Sequence, residues 1–140
     1  DGSYFGGVNY YPRSYTHFEK YYPKGIENGL HGKRVREFCQ DNQGILWIGT
    51  EDGGLNRFNL NTKEFSFFAP SAGFTNIHGL CLVDDKLWVG TFSKGLKIID
   101  TRTGTVLKTY QKNSSPRSLI DNSIFAICKT ATGDIYLGTM

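Results

Sequence analysis

The sequence predicts an all-β protein built from repeated four-stranded antiparallel units. A six-residue segment, Ile45–Thr50, recurs as Lys86–Thr91 and again as Asp134–Thr139. The chain also carries 17 Gly residues and 14% aromatic residues, a composition typical of many short strands joined by tight turns. A long internal repeat of this kind determines the architecture of the chain.

The repeat is anchored by a glycine in its fifth position, and a partial fourth copy stands at the start of the chain. These glycines are 47, 41 and 48 residues apart. They are Gly2, Gly49, Gly90 and Gly138. Five residues after each of the first three comes another glycine followed by an apolar residue. A period of this length, with no apolar stripe at helical spacing, predicts β-propeller blades and excludes helical solenoids.

One complete unit illustrates the four predicted strands. The first is Val35–Gln40, the second Leu46–Thr50, the third Leu55–Leu60 and the fourth Glu64–Phe68. The turn after the first strand, Asp41–Gly44, contains a glycine that can supply a positive φ. Each unit is therefore expected to fold as one blade.

Tryptophans and cysteines recur at fixed positions of the units and are predicted to be structural. Trp47 and Trp88 are expected to pack between neighbouring blades. Cys39, Cys81 and Cys128 occupy one equivalent position, which favours a small apolar residue between blades over a disulfide framework or a metal site.

Counting strands predicts an incomplete propeller of about three blade-equivalents. The segments are a half blade at 1–22, blades at 33–68 and 75–110, and a half blade at 122–139. Because propellers close with roughly 4–8 blades, the chain needs further strands. These come either from the remaining blades of a longer chain or from a second copy of this chain.

The segment Asp41–Phe58 resembles the two-component regulator propeller repeat, and Gly2–Tyr11 is similar to a variant of it. The second copy departs from the pattern with Lys94 and Lys97 at a glycine and an asparagine position. The resemblance implies the periplasmic sensor region of a hybrid two-component histidine kinase that regulates polysaccharide utilisation. Any kinase activity would then lie elsewhere in a longer chain.

Several other functional classes are disfavoured. The net charge is +3, and its densest basic group, Lys33, Arg34 and Arg36, is far from the stripe of a nucleic-acid surface. No apolar run is long enough to span a membrane, so direct membrane contact by this segment is not expected. The residues show no catalytic constellation, metal-ligand spacing or cofactor motif.

Candidate ligand-binding residues lie at one predicted end of the blades. The turns between second and third strands share a face with the segments that enter the first strands, around the central channel. Aromatic faces and polar groups in these segments would suit an oligosaccharide, although Tyr4, Phe5 and Phe92 could instead pack between blades. The candidates are Tyr4, Phe5, Arg34, Arg36, Glu51, Asp52, His78 and Phe92.

The sequence thus predicts a ligand-sensing segment that recognises a glycan fragment. One alternative is a propeller that binds a protein partner or dimerises and takes no small ligand. A less favoured alternative is a propeller glycan lyase or hydrolase, which would need paired carboxylates facing each other across the channel.

Overall fold

A computed structural model describes residues 2–3, 7–10, 18–23, 28–68 and 74–140. Tyr4 and Phe5, two of the predicted ligand-binding residues, lie outside these ranges. The described residues form strands and no helix. The strands are β1 (Gly2–Ser3), β2 (Gly7–Tyr10), β3 (Glu19–Tyr21), β4 (Val35–Gln40), β5 (Ile45–Thr50), β6 (Gly54–Asn59), β7 (Phe65–Phe67), β8 (Ile77–Val83), β9 (Lys86–Thr91), β10 (Leu96–Asp100), β11 (Val106–Tyr110), β12 (Ile124–Lys129) and β13 (Ile135–Thr139).

The strands form four antiparallel sheets in which sequential strands are neighbours. Two sheets have four strands, β4-β5-β6-β7 and β8-β9-β10-β11. They are flanked by the three-stranded sheet β1-β2-β3 and the two-stranded sheet β12-β13. The first strands β4, β8 and β12 lie side by side, as the inner strands of consecutive blades do. The predicted fold class, four-stranded propeller blades in an incomplete propeller, is confirmed.

Each complete sheet buries apolar side chains on both faces. Trp47 on β5 belongs to a cluster with Leu80, Leu87 and other residues of the next sheet. Its neighbour Ile48 points the opposite way and joins a cluster with Val8 of the preceding sheet. This alternation follows from the two-residue period of a strand, and it explains how blades stack face to face around a common centre.

The repeat aspartate and tryptophan are linked by hydrogen bonds. Asp41 is buried, and its Oδ1 accepts from the backbone N–H groups of Gln43 (2.9 Å) and Ile45 (3.0 Å). Its Oδ2 accepts from the indole Nε1 of Trp47 at 2.9 Å. The carboxylate thus closes the turn between β4 and β5 and fixes the ring that fills the space between blades.

The repeat threonine closes the next turn in both complete blades. Thr50 accepts a hydrogen bond from the N–H of Gly53 and donates to the carbonyl of Gly54. Thr91 makes the corresponding bonds with Lys94 and Gly95. These buried threonines position the turn between second and third strands, which carries the candidate site residues.

The two glycines of the Gly53-Gly54 pair have different roles, which explains why the second copy departs from the pattern. Gly54 and its equivalents Gly7 and Gly95 all have positive φ, at 78°, 93° and 79°. A Cβ on Gly53 would lie 2.3 Å from the backbone of the His31 segment, whereas Lys94 at the equivalent position is exposed. The first glycine is therefore needed only where that segment passes close by.

The cysteines are free, and their burial decreases along the chain. Cys39 and Cys81 are half-buried, while Cys128 is exposed. Cys39 packs against the cluster that contains Trp47, and burial raises the pKa of its thiol. Trp88, at the position equivalent to the fully buried Trp47, is half-buried.

Candidate functional site

The three inner strands each begin with a β-bulge at the same repeat position. The pairing register shifts between Val35 and Glu37, between Ile77 and Gly79, and between Ile124 and Ala126. The residues inserted at these shifts are Arg36, His78 and Phe125. A bulge places an extra residue against the partner strand and re-aims its side chain. The repeat thus brings three chemically different side chains to one end of the adjacent inner strands.

His78 links two blades through a defined hydrogen-bond pair. Arg36 Nη2 donates to Nδ1 of His78 at 3.2 Å, and Nε2 of His78 donates to Oδ1 of Asn76 at 2.7 Å. A guanidinium can only donate, so Nδ1 must be the unprotonated nitrogen and the ring is neutral. Asn76 adopts φ 60°, a left-handed conformation that asparagine tolerates better than most residues.

Phe92, Phe125 and His78 form a cluster of rings beside this pair. The centroid of His78 lies 4.9 Å from that of Phe125 in an edge-to-face arrangement and 5.8 Å from that of Phe92. The two phenyl centroids are 6.1 Å apart. Phe92 remains 39% exposed although it sits among aromatic neighbours. The cluster therefore presents an apolar surface next to the Arg36 guanidinium.

Two acidic residues follow Thr50 and behave differently. Burial acts to raise the pKa of Asp52, but hydrogen bonds from the backbone N–H groups of Arg34 and Lys33 to its Oδ1 outweigh this, and the pKa is lowered. Asp52 therefore ties the turn to the segment that enters β4. Glu51 Oε1 lies 3.9 Å from Nη1 of Arg34. Its Oε2 is shielded from solvent and has no hydrogen-bond partner among the described residues.

The pKa of His78 is lowered, first by burial and then by the Arg36 guanidinium, while Glu51 acts weakly in the opposite direction. Because the folded protein disfavours protonation, the unfolded chain binds the proton first. We expect the stability contributed by neutral His78 to be complete above its usual pKa of 6.5 and to be lost as pH falls below it. The check is the urea midpoint from pH 8 to pH 5 for the parent chain and for His78→Gln. A parallel decline in both proteins would contradict the prediction, since the other histidines are common to both.

The structure brings some of the predicted site residues together and separates others. Arg36, His78 and Phe92 make one connected group. Arg34, Glu51 and Asp52 form a second group on the adjoining turn, described above. Sequence reasoning missed Phe125 and did not select Asn76. Phe125 could have been found by repeat alignment, because it follows Ile124 as Arg36 follows Val35.

An apolar cavity of about 240 Å³ lies elsewhere, between the sheet β1-β2-β3 and the sheet β4-β5-β6-β7. Its lining includes Phe38, Leu46, Ile48 and Phe58. By repeat position these are the equivalents of residues that cluster with Trp47 in the next pair of sheets. The cavity is a mainly apolar space of inter-blade packing, and Tyr10, Tyr21 and Lys63 contribute the polar groups of its lining.

The sequence pattern of the family described as Two component regulator propeller matches residues 29–52 and 118–140. Two segments of this chain are thus similar to two-component regulator propeller repeats. The first match contains the segment that enters β4 and ends at Asp52, and the second contains Phe125. The matches therefore include two of the three bulge positions.

Proteins that are longer than this chain and are named as two-component system proteins or as a histidine kinase resemble it over nearly the full length of this chain. It is 28% identical over 138 residues to histidine kinase P4 of Formosa agariphila, covering 96% of this chain and 10% of the kinase. The extracellular domain assigned to the hybrid two-component system BT3049 of B. thetaiotaomicron superposes with TM-score 0.80 at 24% identity, over 97% of this chain and 20% of that domain. The extracellular domain assigned to the hybrid two-component system BT4673 of the same organism superposes with TM-score 0.76 at 26% identity, over 96% of this chain and 18% of that domain.

The chain thus resembles segments of the extracellular domains of two-component systems, and it spans a fifth or less of the length of these relatives. The extracellular assignment of the solved relatives agrees with the periplasmic location that the resemblance implies. The part of the chain that the structure describes contains no helix long and apolar enough to cross a membrane.

Proposed function

We propose that these propeller repeats form part of the periplasmic sensor region of a hybrid two-component kinase and bind a glycan fragment at the bulged ends of β4, β8 and β12. The observation that carries the proposal is the cluster of His78, Phe92 and Phe125 beside Arg36. In this cluster the partly exposed Phe92 packs against the buried His78, and Arg36 of the neighbouring blade sets the tautomer of the histidine. Packing between blades alone does not require this arrangement.

The chemistry of this end suits a sugar. The apolar faces of the two phenylalanines can cover the C–H surface of a pyranose ring, while a few fixed polar groups orient its hydroxyls. The exposed Arg36 guanidinium beside the rings supplies N–H groups that can donate to a sugar hydroxyl. Binding by such side chains, rather than catalysis, is the function proposed for this segment.

The site is shared between blades, so binding can change how they sit together. Arg36 belongs to β4, His78 to β8 and Phe125 to β12. A ligand that contacts all three side chains favours the arrangement of blades in which they converge. It shifts the equilibrium between two arrangements of the sensor only to the extent that it binds one of them more tightly than the other. The kinase relative supports a histidine kinase as the output.

The proposal is tested on the full-length sensor with a panel of neutral and acidic oligosaccharides, measuring binding by calorimetry and output by kinase autophosphorylation. Phe92→Ala and Phe125→Ala are expected to weaken binding roughly tenfold or more, as for aromatic anchors in other interfaces. Leu107→Ala is the matched control, since Leu107 lies on β11, the last strand of its sheet, and is exposed. Unchanged binding in both phenylalanine variants, or unchanged kinase output at saturation, would contradict the proposal.

A second candidate is a protein-interaction propeller. The observation that favours it is a pair of exposed apolar residues on β11, Val106 at 38% and Leu107 at 49% exposure. Exposed apolar surface on an outer strand can receive a partner. In the same titrations, this function predicts that Val106→Ser with Leu107→Ser alters kinase output while the phenylalanine variants do not.

A further inference from the structure

We infer that the glycan bound at this site carries an anionic group, a carboxylate or a sulfate, and that Arg36 binds it. The inference rests on the proposed function and adds the chemical class of the ligand. It depends on the charge pairing around the bulges and on the way in which His78 holds the guanidinium.

Arg36 is a cation without an acidic partner. Its side chain is exposed, and its described contact is the single hydrogen bond to Nδ1 of His78. No carboxylate oxygen of the described residues lies within 4.0 Å of it. Most N–H donors of the guanidinium remain available, and their planar arrangement matches a carboxylate or sulfate with two parallel hydrogen bonds.

The nearby carboxylates do not neutralise Arg36. Glu51 pairs with Arg34, and Oδ1 of Asp52 is occupied by the two backbone N–H groups of Lys33 and Arg34. The next turn contributes another cation, Lys94, two residues after Phe92. An anion arriving at Arg36 therefore meets an uncompensated positive charge.

His78 positions the guanidinium. Neutral Nδ1 of His78 accepts one hydrogen bond from Nη2 of Arg36 at 3.2 Å, which leaves the other N–H groups of the guanidinium free to bind a ligand. His78 itself is only 8% exposed, and Asn76 holds its other nitrogen. The lowered pKa of His78 keeps the ring an acceptor at neutral pH, since an imidazolium would repel the arginine. Phe92 and Phe125 pack against the His78 ring and help to hold it in place.

The test is a set of titrations of the full-length sensor with three probes: trigalacturonate, neutral galactotriose and a sulfated galactotriose. The parent protein is expected to bind at least one acidic probe about tenfold or more tightly than the neutral one, as hydrogen bonds to charged groups allow. The preference should shrink as salt is raised. Comparison of the uronate and sulfate arms identifies which oxyanion is recognised.

Arg36→Gln is expected to abolish the preference, because the amide can still donate to His78 but carries no charge. Arg36→Lys should keep part of it. Arg102→Gln removes an exposed arginine from the turn between β10 and β11 and is expected to leave the preference unchanged. Equal binding of neutral and acidic probes, or a preference that survives in Arg36→Gln, would overturn this inference alone. Failure of every probe to bind would contradict the glycan proposal as well.

Discussion

Replacing Trp47 with alanine is expected to lower the free energy of unfolding by about 3–5 kcal/mol, the range for deleting a large buried aromatic side chain. Trp47 is fully buried and clusters with apolar residues of two adjacent sheets. Its loss would leave a cavity between the blades and would remove the donor to Oδ2 of Asp41. Trp47→Phe keeps much of the volume but loses this hydrogen bond, so a smaller decrease is expected.

Urea unfolding followed by far-ultraviolet circular dichroism measures this effect without relying on tryptophan fluorescence. Tyr136→Ala is the matched control, since Tyr136 occupies the same repeat position on β13 and is 64% exposed. Its expected change is within about 0.5 kcal/mol. If both alanine variants lowered the free energy of unfolding by a similar amount, packing between blades would not be the reason that Trp47 stabilises the chain.

Gly49→Ala is expected to destabilise the chain by about 1–3 kcal/mol through overpacking. A Cβ at this position would lie 2.5 Å from Cγ2 and 3.0 Å from Cβ of Ile77, the first residue of the next inner strand. Ile77 is fully buried, and a β-branched side chain cannot rotate away cheaply. The strands β5 and β8 would have to move apart.

Gly138→Ala provides the comparison, because Gly138 is the same repeat glycine on β13. Its Cβ would have Ala126 Cβ, 3.3 Å away, as its nearest neighbour, and the position is exposed. We expect a change near zero, measured as the shift in urea midpoint. If Gly138→Ala were as destabilising as Gly49→Ala, the anchoring glycine would be required by strand conformation rather than by the approach of the next blade.

The contrast between equivalent positions also explains how much of the fold the sequence reveals. The spacing of the repeat glycines predicts the blades, and the strand β4 begins and ends as predicted, at Val35 and Gln40. The reason is that close approach at Gly49, ring packing at Trp47 and the turn at Asp41 each permit few residue types. Such local requirements recur with every blade and so become visible as a pattern.

The site is less visible, because its residues differ from blade to blade. Arg36, His78 and Phe125 share a position but no chemistry, so the repeat pattern gives no sign that they act together. The bulges that re-aim them depend on pairing with β5, β9 and β13, which fixes the residues on either side of the insertion. Phe125 directly follows the core residue Ile124, and an apolar ring at such a place is as typical of the interior as of a binding site, so residue type alone does not reveal its role. Asp52 connects its turn to the segment that enters β4, and this role depends on how close that segment passes, which residue types alone do not determine.

Hydrogen–deuterium exchange of the full-length sensor, with and without the glycan that binds most tightly, tests the central claim most directly. Slower exchange on binding is expected in residues 35–37, 76–79, 91–94 and 123–126, where the three bulges and the Phe92 turn lie, and unchanged exchange is expected in β11. Protection confined to β11 or to other parts of the sensor, with these four segments unaffected, would contradict the proposed site.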